Sequence, residues 1–376
     1  MNEKIDIAII AGQLVVGGAE RQLYLWLSNL DRKIFNPVIL TLHPGHNDYW
    51  EIPIEELGIP LHRIPHRQSR LIRLVDIIRI LQPYHPKLIH GWHLFASPYA
   101  GLAARLLGVR SLAGIRHTYQ AFLQHPQEAN LTLLTVDAIL TNSYAAATGL
   151  QHERRKKNQK IYVVQNAVEE PRSNRTLIRA KLCQDLKIAE EKIWIGSLGR
   201  LDPLKRFDLT LKVISLLKHE RDDFHFLLIG DGPERMKLET LARDLDITDV
   251  MTFTGEIPNA KELLTALDIF CFTSVDEGLP NVIMEAAMAE LPIVAWKYPF
   301  IEELVENGTM ALLVDPEALV TFKEKIQILI ESSELRYQLG NDAKHQMLNR
   351  FSLNRYIQNM TQVYLSILGN PYIKQK

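Results

Sequence analysis

Two basic side chains follow a short apolar segment near the middle of this 376-residue chain. The segment IWIGSL has the composition of a buried strand, and it continues directly into GRLDPLKR. Arg200 therefore follows a predicted strand, and Lys205 lies five residues later at the entrance of a predicted helix. Fixed cations beside a helix N-terminus form a suitable clamp for a diphosphate.

Two carboxylates, Glu277 and Glu285, stand eight residues apart in DEGLPNVIMEAAM. Glu277 is predicted in a loop and Glu285 on the following helix, so both can approach one ligand from different sides. Carboxylates accept hydrogen bonds from sugar hydroxyls. The predicted helix opens between them, and its free N–H groups indicate a second phosphate seat. The opening residues are Gly278, Leu279, Pro280 and Asn281.

A pair of glycines, Gly17 and Gly18, follows the first predicted strand and precedes a helix in AGQLVVGGAER. Exposed N–H groups at such a position attract anions. The pattern matches neither the G-x-G-x-x-G fingerprint nor a P-loop, so the sequence does not carry the signature of a dinucleotide-binding site. Taken alone, the glycine pair is compatible with either a structural turn or an anion site.

The elements that must position these residues form two series of alternating strands and helices, which is typical of parallel sheets covered on both faces. Ligands of such sheets bind beyond the carboxyl ends of the strands. The first series of predicted strands lies at 5–10, 36–42, 61–65, 87–92, 111–116, 138–142 and 161–165. The second lies at 193–198, 224–229, 250–254, 269–273, 292–296 and 311–314. Helical patterns finish the chain at 316–331, 333–349 and 354–368.

Two domains are expected from this length and from a hydrophobic content of 47%. We predict an N-terminal Rossmann-like domain at 1–170 and a C-terminal one at 171–353. The helical patterns at the end of the chain outnumber the helices that are needed to cover one small sheet. Residues 354–376 are therefore predicted to pack back toward the N-terminal domain.

Composition excludes several classes of protein. The 43 basic and 44 acidic residues nearly cancel, which does not favour nucleic-acid binding. Cys183 and Cys271 are too few for a disulfide framework or a cysteine zinc site. The D-x-D match at 244–246 falls at the end of a predicted helix, so no metal site is predicted there. We found neither a signal peptide nor a membrane-spanning segment. The expected location is the cytoplasm.

Two basic clusters could bring the protein to a membrane surface. One contains Arg63, Arg67, Arg70 and Arg73 around Leu71, and the other comprises residues 154–157 with Lys160. Basic and apolar side chains together suit a peripheral contact with anionic lipid. A solvated loop is the alternative.

The ordered set of segments GGAER, GSLGRLDPLKR, FLLIGDGPER, VMTFTGEIPN and EGLPNVIMEAAMAELPIVAW resembles glycosyltransferase family 4 over nearly the whole chain. The resemblance implies the GT-B fold, in which two Rossmann-like, doubly wound α/β domains face each other across a cleft. It also implies retaining transfer of a sugar from a nucleoside diphosphate to an acceptor hydroxyl. In this family the C-terminal domain holds the nucleotide, and the N-terminal domain largely holds the acceptor.

By position, the resemblance assigns Arg200 and Lys205 to the donor diphosphate, Glu285 to the ribose and Glu277 to the transferred sugar. Gly17 and Gly18 would meet the diphosphate from the other domain. The nucleobase would lie at Gly255, Glu256 and Ile257, and His117 in GIRHT matches a family histidine near the sugar.

Some positions could line the cleft or depart from the family pattern. His90 and His93 in IHGWH could line the cleft wall, and Asn166 could shape the hinge. A Gly-Gly pair is usual where Tyr298-Pro299-Phe300 stands, so bulky rings are expected to narrow the loop beside the donor sugar or acceptor. The role of Glu303 is correspondingly open.

These expectations point to a metal-independent, cytoplasmic enzyme without a cofactor. It would move a sugar from a nucleotide sugar, UDP-linked by preference, to a glycan or lipid-linked acceptor for a cell-envelope polysaccharide. A GT-B-like nucleotide-sugar epimerase is the alternative and would need acid–base residues around the sugar. A binding protein without activity would be expected to have lost Arg200, Lys205 or Glu277.

Overall fold

The computed structural model describes residues 4–43, 48–65, 69–116, 118–153, 158–171, 173–257 and 259–369. The chain forms two compact units. The first comprises residues 1–167 and 353–376, and the second comprises residues 168–352. The divisions therefore fall after residues 167 and 352, where the sequence predicted them after 170 and 353.

The first unit contains a parallel sheet of seven strands in the described part of the chain. Its strand order is β3-β2-β1-β4-β5-β6-β7. The strands are β1 (Ile5–Ala11), β2 (Phe35–Thr41), β3 (Leu61–Arg63), β4 (Leu88–Gly91), β5 (Arg110–Ile115), β6 (Ala138–Thr141) and β7 (Lys160–Val163). The order reverses between β1 and β4, which makes their carboxyl ends the switch point of the sheet.

Helices cover both faces of this sheet, because its strands are apolar on both sides. In the first helix, Leu23, Trp26 and Leu27 recur at helical spacing, and all three are buried. The helices are α1 (Gly18–Ser28), α2 (Glu51–Glu55), α3 (Arg70–Leu81), α4 (Ser97–Leu107), α5 (Tyr119–Leu123), α6 (Pro126–Thr135) and α7 (Tyr144–Gln151).

The second unit contains a parallel sheet of six strands among the described residues, in the order β10-β9-β8-β11-β12-β13. Here the order reverses between β8 and β11. The strands are β8 (Ile193–Leu198), β9 (Phe224–Ile229), β10 (Met251–Gly255), β11 (Ile269–Phe272), β12 (Ile293–Trp296) and β13 (Ala311–Val314). The helices are α8 (Arg175–Leu186), α9 (Phe207–Lys218), α10 (Arg235–Asp244), α11 (Asn281–Met288), α12 (Pro299–Glu302), α13 (Leu319–Glu331) and α14 (Ser333–Arg350).

The last helix, α15 (Leu353–Ile367), belongs to the first unit. Its Tyr364 is fully buried, with a ring centroid 5.3 Å from that of Trp26 on α1. The Tyr356 hydroxyl donates a hydrogen bond of 3.1 Å to the carbonyl of Gln22, also on α1. Helix α15 thus completes the core of the first unit.

No helix among the described residues combines the length and the apolar character needed to cross a bilayer.

Candidate functional site

The loop after β8 presents two basic side chains that differ in exposure. Arg200 is 71% exposed, and its Nε lies 3.3 Å from the Asp202 carboxylate. Lys205 ends a 3₁₀ turn over Pro203–Lys205 and is only 23% exposed. The turn carries Lys205 back toward the neighbouring strand, whereas Arg200 remains accessible to a ligand.

Lys205 forms an ion pair with Glu277, which lies in the loop between β11 and α11. The Ser274 hydroxyl donates to the Glu277 carboxylate at 2.9 Å. The Thr273 hydroxyl donates to the Lys205 carbonyl at 2.9 Å, and the Val275 N–H donates to the Leu204 carbonyl at 3.0 Å. These bonds hold the two loops together and fix a cation beside a carboxylate.

This pair lies at the switch point of the second sheet. Strands β8 and β11 are parallel neighbours, so the loops that follow them share one edge. Both partners of the pair are predicted as site residues from the sequence, whereas Ser274 and Thr273 are not. The only available signal for them was their position directly after a predicted strand.

Helix α11 begins at Asn281, with Pro280 as its N-cap. This start is later than expected, because Pro280 precedes the helix and Gly278 lies in the preceding bend. Leu279 is 5% exposed and packs into the core, so any ligand contact from it must come from its backbone. Glu285 lies on α11 and is partly buried.

Glycines pack the loops after β8, β9 and β10 against one another. Gly230 has φ +131°, and a Cβ there would overlap the Gly199 carbonyl oxygen. The Gly230 N–H donates to the Gly255 carbonyl at 3.1 Å. Gly255 itself has φ +73°, beside the ion pair that Asp231 forms with Arg235. Larger residues would force these loops apart.

Ile257 follows Gly255 at the same edge of the sheet and is partly buried against the core. Its neighbour Glu256 is exposed. The structure thus brings the predicted nucleobase loop to the strand edge that carries Arg200 and Lys205, because β8, β9 and β10 are consecutive in the sheet.

An aromatic pair follows β12, which is the next strand beyond β11. The rings of Tyr298 and Phe300 are stacked, with centroids 5.5 Å apart and an angle of 7° between their planes. Phe300 is 7% exposed, and Tyr298 is partly buried. Phe300 therefore supports the Tyr298 ring at the edge that also carries Glu277.

In the first unit, Gly17 is the N-cap of α1, and Gly18 is its first residue. Glu20 folds back over Gly17, since a Cβ on Gly17 would overlap the Glu20 carboxylate. The same carboxylate lies 3.0 Å from His93 Nε2, and His93 Nδ1 accepts a bond of 3.4 Å from the Gly12 N–H. His93 therefore links the ends of β1 and β4.

His90 has a structural environment. It is fully buried, and its Nδ1 lies 2.7 Å from the Tyr364 hydroxyl. Burial lowers the pKa of His90 well below its ordinary value, with smaller contributions from Arg116 and His93. As a neutral residue of the core, His90 has a structural role that requires no bound ligand.

His117, the predicted histidine near the sugar, lies outside the described residues, as do Arg67 and residues 154–157 of the basic clusters. The sequence did not predict a role for its neighbour Arg116, which lies within the described residues. The Arg116 guanidinium lies over the Trp92 ring, 3.8 Å from its centroid. Asn166 is 3% exposed and lies 3.5 Å from Arg116 Nη1.

The D-x-D match is part of a helix terminus. Helix α10 ends at Asp244, and Asp246 lies 3.4 Å from Lys218 Nζ. Among the described residues, no group of three or more histidine, cysteine or acidic side chains is arranged to hold a metal ion.

Two sheets of this topology, each with its switch point at the carboxyl ends of its strands, define a protein of the GT-B fold. Solved structures share this fold. A protein of Anabaena, HepE, determined in complex with UDP, is 20% identical with a TM-score of 0.81, covering 96% of this chain and 100% of that one. A glycosyltransferase from Rickettsia africae is 18% identical with a TM-score of 0.80, covering 98% and 100%.

Family models match both units. The model of glycosyltransferase family 4 matches residues 16–172, and the model of glycosyl transferases group 1 matches residues 179–346. The chain belongs to glycosyltransferase family 4.

Two bacterial proteins that are named as glycosyltransferases are similar to this chain. A glycosyltransferase of Haemophilus influenzae is 31% identical over 215 residues, which is 57% of this chain and 57% of that protein. Glycosyltransferase EpsD of Bacillus subtilis is 23% identical over 352 residues, covering 88% of this chain and 91% of EpsD.

Proposed function

We propose that the protein transfers a sugar from a UDP-sugar to a hydroxyl of a glycan or lipid-linked acceptor, with retention of the anomeric configuration. The observation that carries the proposal is the Lys205–Glu277 pair at the switch point of the second sheet. A cation there can meet a diphosphate, and a carboxylate there can bind sugar hydroxyls.

The chemical step separates charge between the sugar and the departing diphosphate. The bond from the anomeric carbon to the diphosphate oxygen breaks, and the acceptor oxygen bonds to that carbon on the same face. The acceptor proton passes to the departing phosphate oxygen. The protein therefore needs to align the substrates and to neutralise the leaving group.

Arg200 and Lys205 supply this neutralisation. Arg200 is exposed, so it can bind the diphosphate as it arrives. Lys205 is already oriented by Glu277, which reduces the reorganisation required in the transition state. Since Glu277 is engaged by Lys205 and Ser274, we assign it to hydroxyl binding rather than to covalent attack.

The acceptor class rests on the names of relatives. One relative in Rhizobium meliloti is named as a lipopolysaccharide core biosynthesis glycosyltransferase, at 25% identity over 364 residues. A relative in Campylobacter jejuni is named as a transferase acting on a pyrophosphoryl-undecaprenol glycan, at 30% identity over 149 residues. These names support a glycan or lipid-linked acceptor for the present protein, which we place at the cytoplasmic face of the membrane.

The experiment is incubation with a panel of UDP-sugars, with and without lipid-linked glycan acceptors, followed by measurement of free UDP and NMR analysis of the product. We expect acceptor-dependent UDP release and an axial or equatorial linkage that matches the donor. A change of sugar configuration without an acceptor would instead identify an epimerase. An inverted linkage would contradict retention.

A further inference from the structure

The second unit contains a cavity of about 450 Å³ at the edge of its sheet opposite Lys205 and Glu277. Asp268 lies on the cavity wall and directly precedes β11, and Pro292 lies on the wall and directly precedes β12. These are the amino ends of two parallel neighbours, whereas Glu277 follows the carboxyl end of β11. The cavity is therefore separate from the predicted donor site, and its size is that of a small-molecule site.

Basic side chains reach this cavity from two helices. Arg175 is the first residue of α8, and Arg336 and Lys344 lie on α14. Between the latter two, α14 packs tightly on the turn after α11, because a Cβ on Gly340 would overlap the Glu290 carbonyl oxygen. Backbone contact therefore fixes this wall, and three cationic groups line one cavity.

Two of these cations are paired and still have donors available. Arg175 lies 2.5 Å from Asp268 and is half exposed, and Lys344 lies 2.7 Å from Glu290. The Asp268 carboxylate is shared with Arg179 at 2.9 Å, so two guanidiniums meet one negative charge. A guanidinium has five donors and an ammonium has three, so both paired cations can donate further bonds to a ligand.

Arg336 is oriented without a carboxylate. Its Nη1 donates to the Leu329 carbonyl at 2.6 Å and to the Ile330 carbonyl at 2.9 Å, at the end of α13. Within the described ranges of the chain, its Nε and Nη2 make no hydrogen bond and no carboxylate pairs with it. Nε and Nη2 form the parallel pair of donors that a phosphate or carboxylate accepts. The guanidinium is thus held in place with its binding edge unused.

Another part of the wall supplies acceptors. Helix α11 ends at Met288, which lines the cavity. The last carbonyl groups of a helix have no partner within it and can accept hydrogen bonds from hydroxyls. The negative end of a helix disfavours a ligand that carries negative charge alone. A ligand that combines one anionic group with hydroxyl donors matches both parts of the wall.

We propose that this cavity binds a negatively charged sugar unit, with its phosphate or carboxylate on Arg336 and its hydroxyls at the end of α11. The choice of a sugar rests on the function proposed above, whereas the anion contact rests on the unused donor pair of Arg336 and the cations beside it. The unit is either a free sugar phosphate or a charged residue of a glycan chain. The chemistry of recognition is the same for both.

Calorimetry measures this binding in the absence of nucleotide. The probes are glucose 6-phosphate, N-acetylglucosamine 6-phosphate and a tetrasaccharide of glucuronate and N-acetylglucosamine, with glucose and inorganic phosphate as reference ligands. We expect at least one charged sugar to bind at least tenfold more tightly than either reference ligand. Binding of the sugar phosphates alone identifies a free sugar phosphate, and binding of the tetrasaccharide identifies a glycan residue.

Arg336→Gln and Lys344→Gln should each weaken this binding at least fivefold. The matched control is Lys237→Gln, because Lys237 lies on α10 of the same unit, is 72% exposed and pairs with Glu234 at 2.8 Å. This control should bind as the wild type does. Should Arg336→Gln unfold because the end of α13 loses its donor, Lys344→Gln decides the question.

A wild type that binds none of the charged sugars would overturn the proposal, as would inorganic phosphate binding as tightly as they do. Equal binding in Arg336→Gln, Lys344→Gln and the wild type would also overturn it, and so would the same loss in Lys237→Gln. A loss in Lys205→Ala alone would place the sugar at the donor edge instead. A protein that binds a charged sugar through Arg336 but releases no UDP would refute the proposed function and leave this site standing.

Discussion

At the scale of single residues, Glu285 is predicted to bind the ribose of the donor, and such a contact affects substrate binding rather than the chemical step. It lies on α11, after the loop that holds Glu277, and a ribose bound by it stays the same in ground and transition states. We expect Glu285→Gln to weaken UDP binding by about tenfold to a hundredfold, which corresponds to about 1.5–3 kcal/mol for a charged hydrogen bond. The value of kcat should change little.

Titration calorimetry with UDP measures this affinity. The matched control is Glu290→Gln, because Glu290 lies just beyond α11, is 50% exposed and pairs with Lys344. Wild-type affinity in Glu285→Gln would remove Glu285 from the nucleotide site.

Tyr298 stands where the family resemblance leads us to expect a Gly-Gly pair, and its ring is fixed by stacking on Phe300. If the ring borders the donor sugar, Tyr298→Ala opens space for bulkier sugars. We expect kcat/KM for N-acetylated UDP-sugars to rise, relative to the unsubstituted sugars, by about tenfold or more, the scale of methylene-sized discrimination in a pocket.

Competition assays with paired donors give this ratio directly. Tyr337→Ala is the control, because Tyr337 on α14 is 72% exposed. An unchanged donor ratio in Tyr298→Ala would place the aromatic pair away from the sugar.

At the scale of elements, the strands were the easiest part of the fold to predict from sequence. Buried parallel strands such as β8 and β9 are continuous apolar runs, and their predicted and observed bounds coincide. The start of α11 was harder, because Pro280 suits both the N-cap and the first turn of a helix. The backbone conformation of Gly278 and Leu279 decides which of these two positions Pro280 takes.

Side-chain pairing across elements was not predictable from sequence. The Lys205–Glu277 contact joins residues 72 positions apart, and the Arg116–Trp92 stack depends on the pairing of β4 with β5. Motif spacing named Lys205 and Glu277 as ligand-binding residues, but it gave Arg116 no role. Its stacking on Trp92 and its hydrogen bond with the Tyr356 hydroxyl are properties of the folded environment.

Helix α3 carries part of the predicted membrane contact. Its Leu71 is 75% exposed and its Ile72 is 51% exposed. The basic residues around it are less available than expected, because Arg63 pairs with Glu51 at 2.8 Å, Arg70 pairs with Glu128 at 3.3 Å, and Arg73 is buried. The apolar residues should therefore contribute strongly to any binding.

We expect salt-sensitive sedimentation with anionic liposomes, since each basic residue near such a surface contributes about 1 kcal/mol and is screened by salt. The double variant Leu71→Ser, Ile72→Ser should sediment less. Leu177→Ser is the control, because Leu177 lies on α8 of the second unit and is 72% exposed. Equal partitioning onto neutral and anionic vesicles would count against the contact.

Strand β9 contains a histidine that couples stability to pH. His225 is 8% exposed and lies 2.9 Å from the Thr252 hydroxyl. Burial, aided by Lys192, lowers the pKa of His225 to about 4 from 6.5. The unfolded chain therefore binds more protons than the folded chain between these values, so the stability falls as the pH drops from 6.5 toward 4.

Urea unfolding at pH 7 and at pH 5 measures this effect. The variant His225→Gln should lose less stability between the two pH values than the wild type does. His219→Gln is the control, because His219 lies outside the strands, at the end of α9. An identical loss in wild type and His225→Gln would show that other groups cause the acid sensitivity.

At the scale of the whole molecule, the central question is how the negative charge of the departing diphosphate is met. An enzyme meets it with a divalent ion or with fixed cations and dipoles. In the second unit, Arg200, Lys205 and the start of α11 lie after neighbouring strands β8 and β11, where they can act together. We therefore expect transfer to continue in EDTA.

The same charge balance predicts the behaviour of Lys205→Ala. Its kcat should fall about a hundredfold, the usual effect of removing one well-placed electrostatic donor, and added magnesium should not restore it. Lys218→Ala is the control, because Lys218 pairs with Asp249 at 2.6 Å at the far end of α9. Measurement of steady-state UDP release gives kcat for both variants. Full kcat in Lys205→Ala, or a wild type silenced by EDTA and revived by manganese, would mean that a metal ion carries the charge instead.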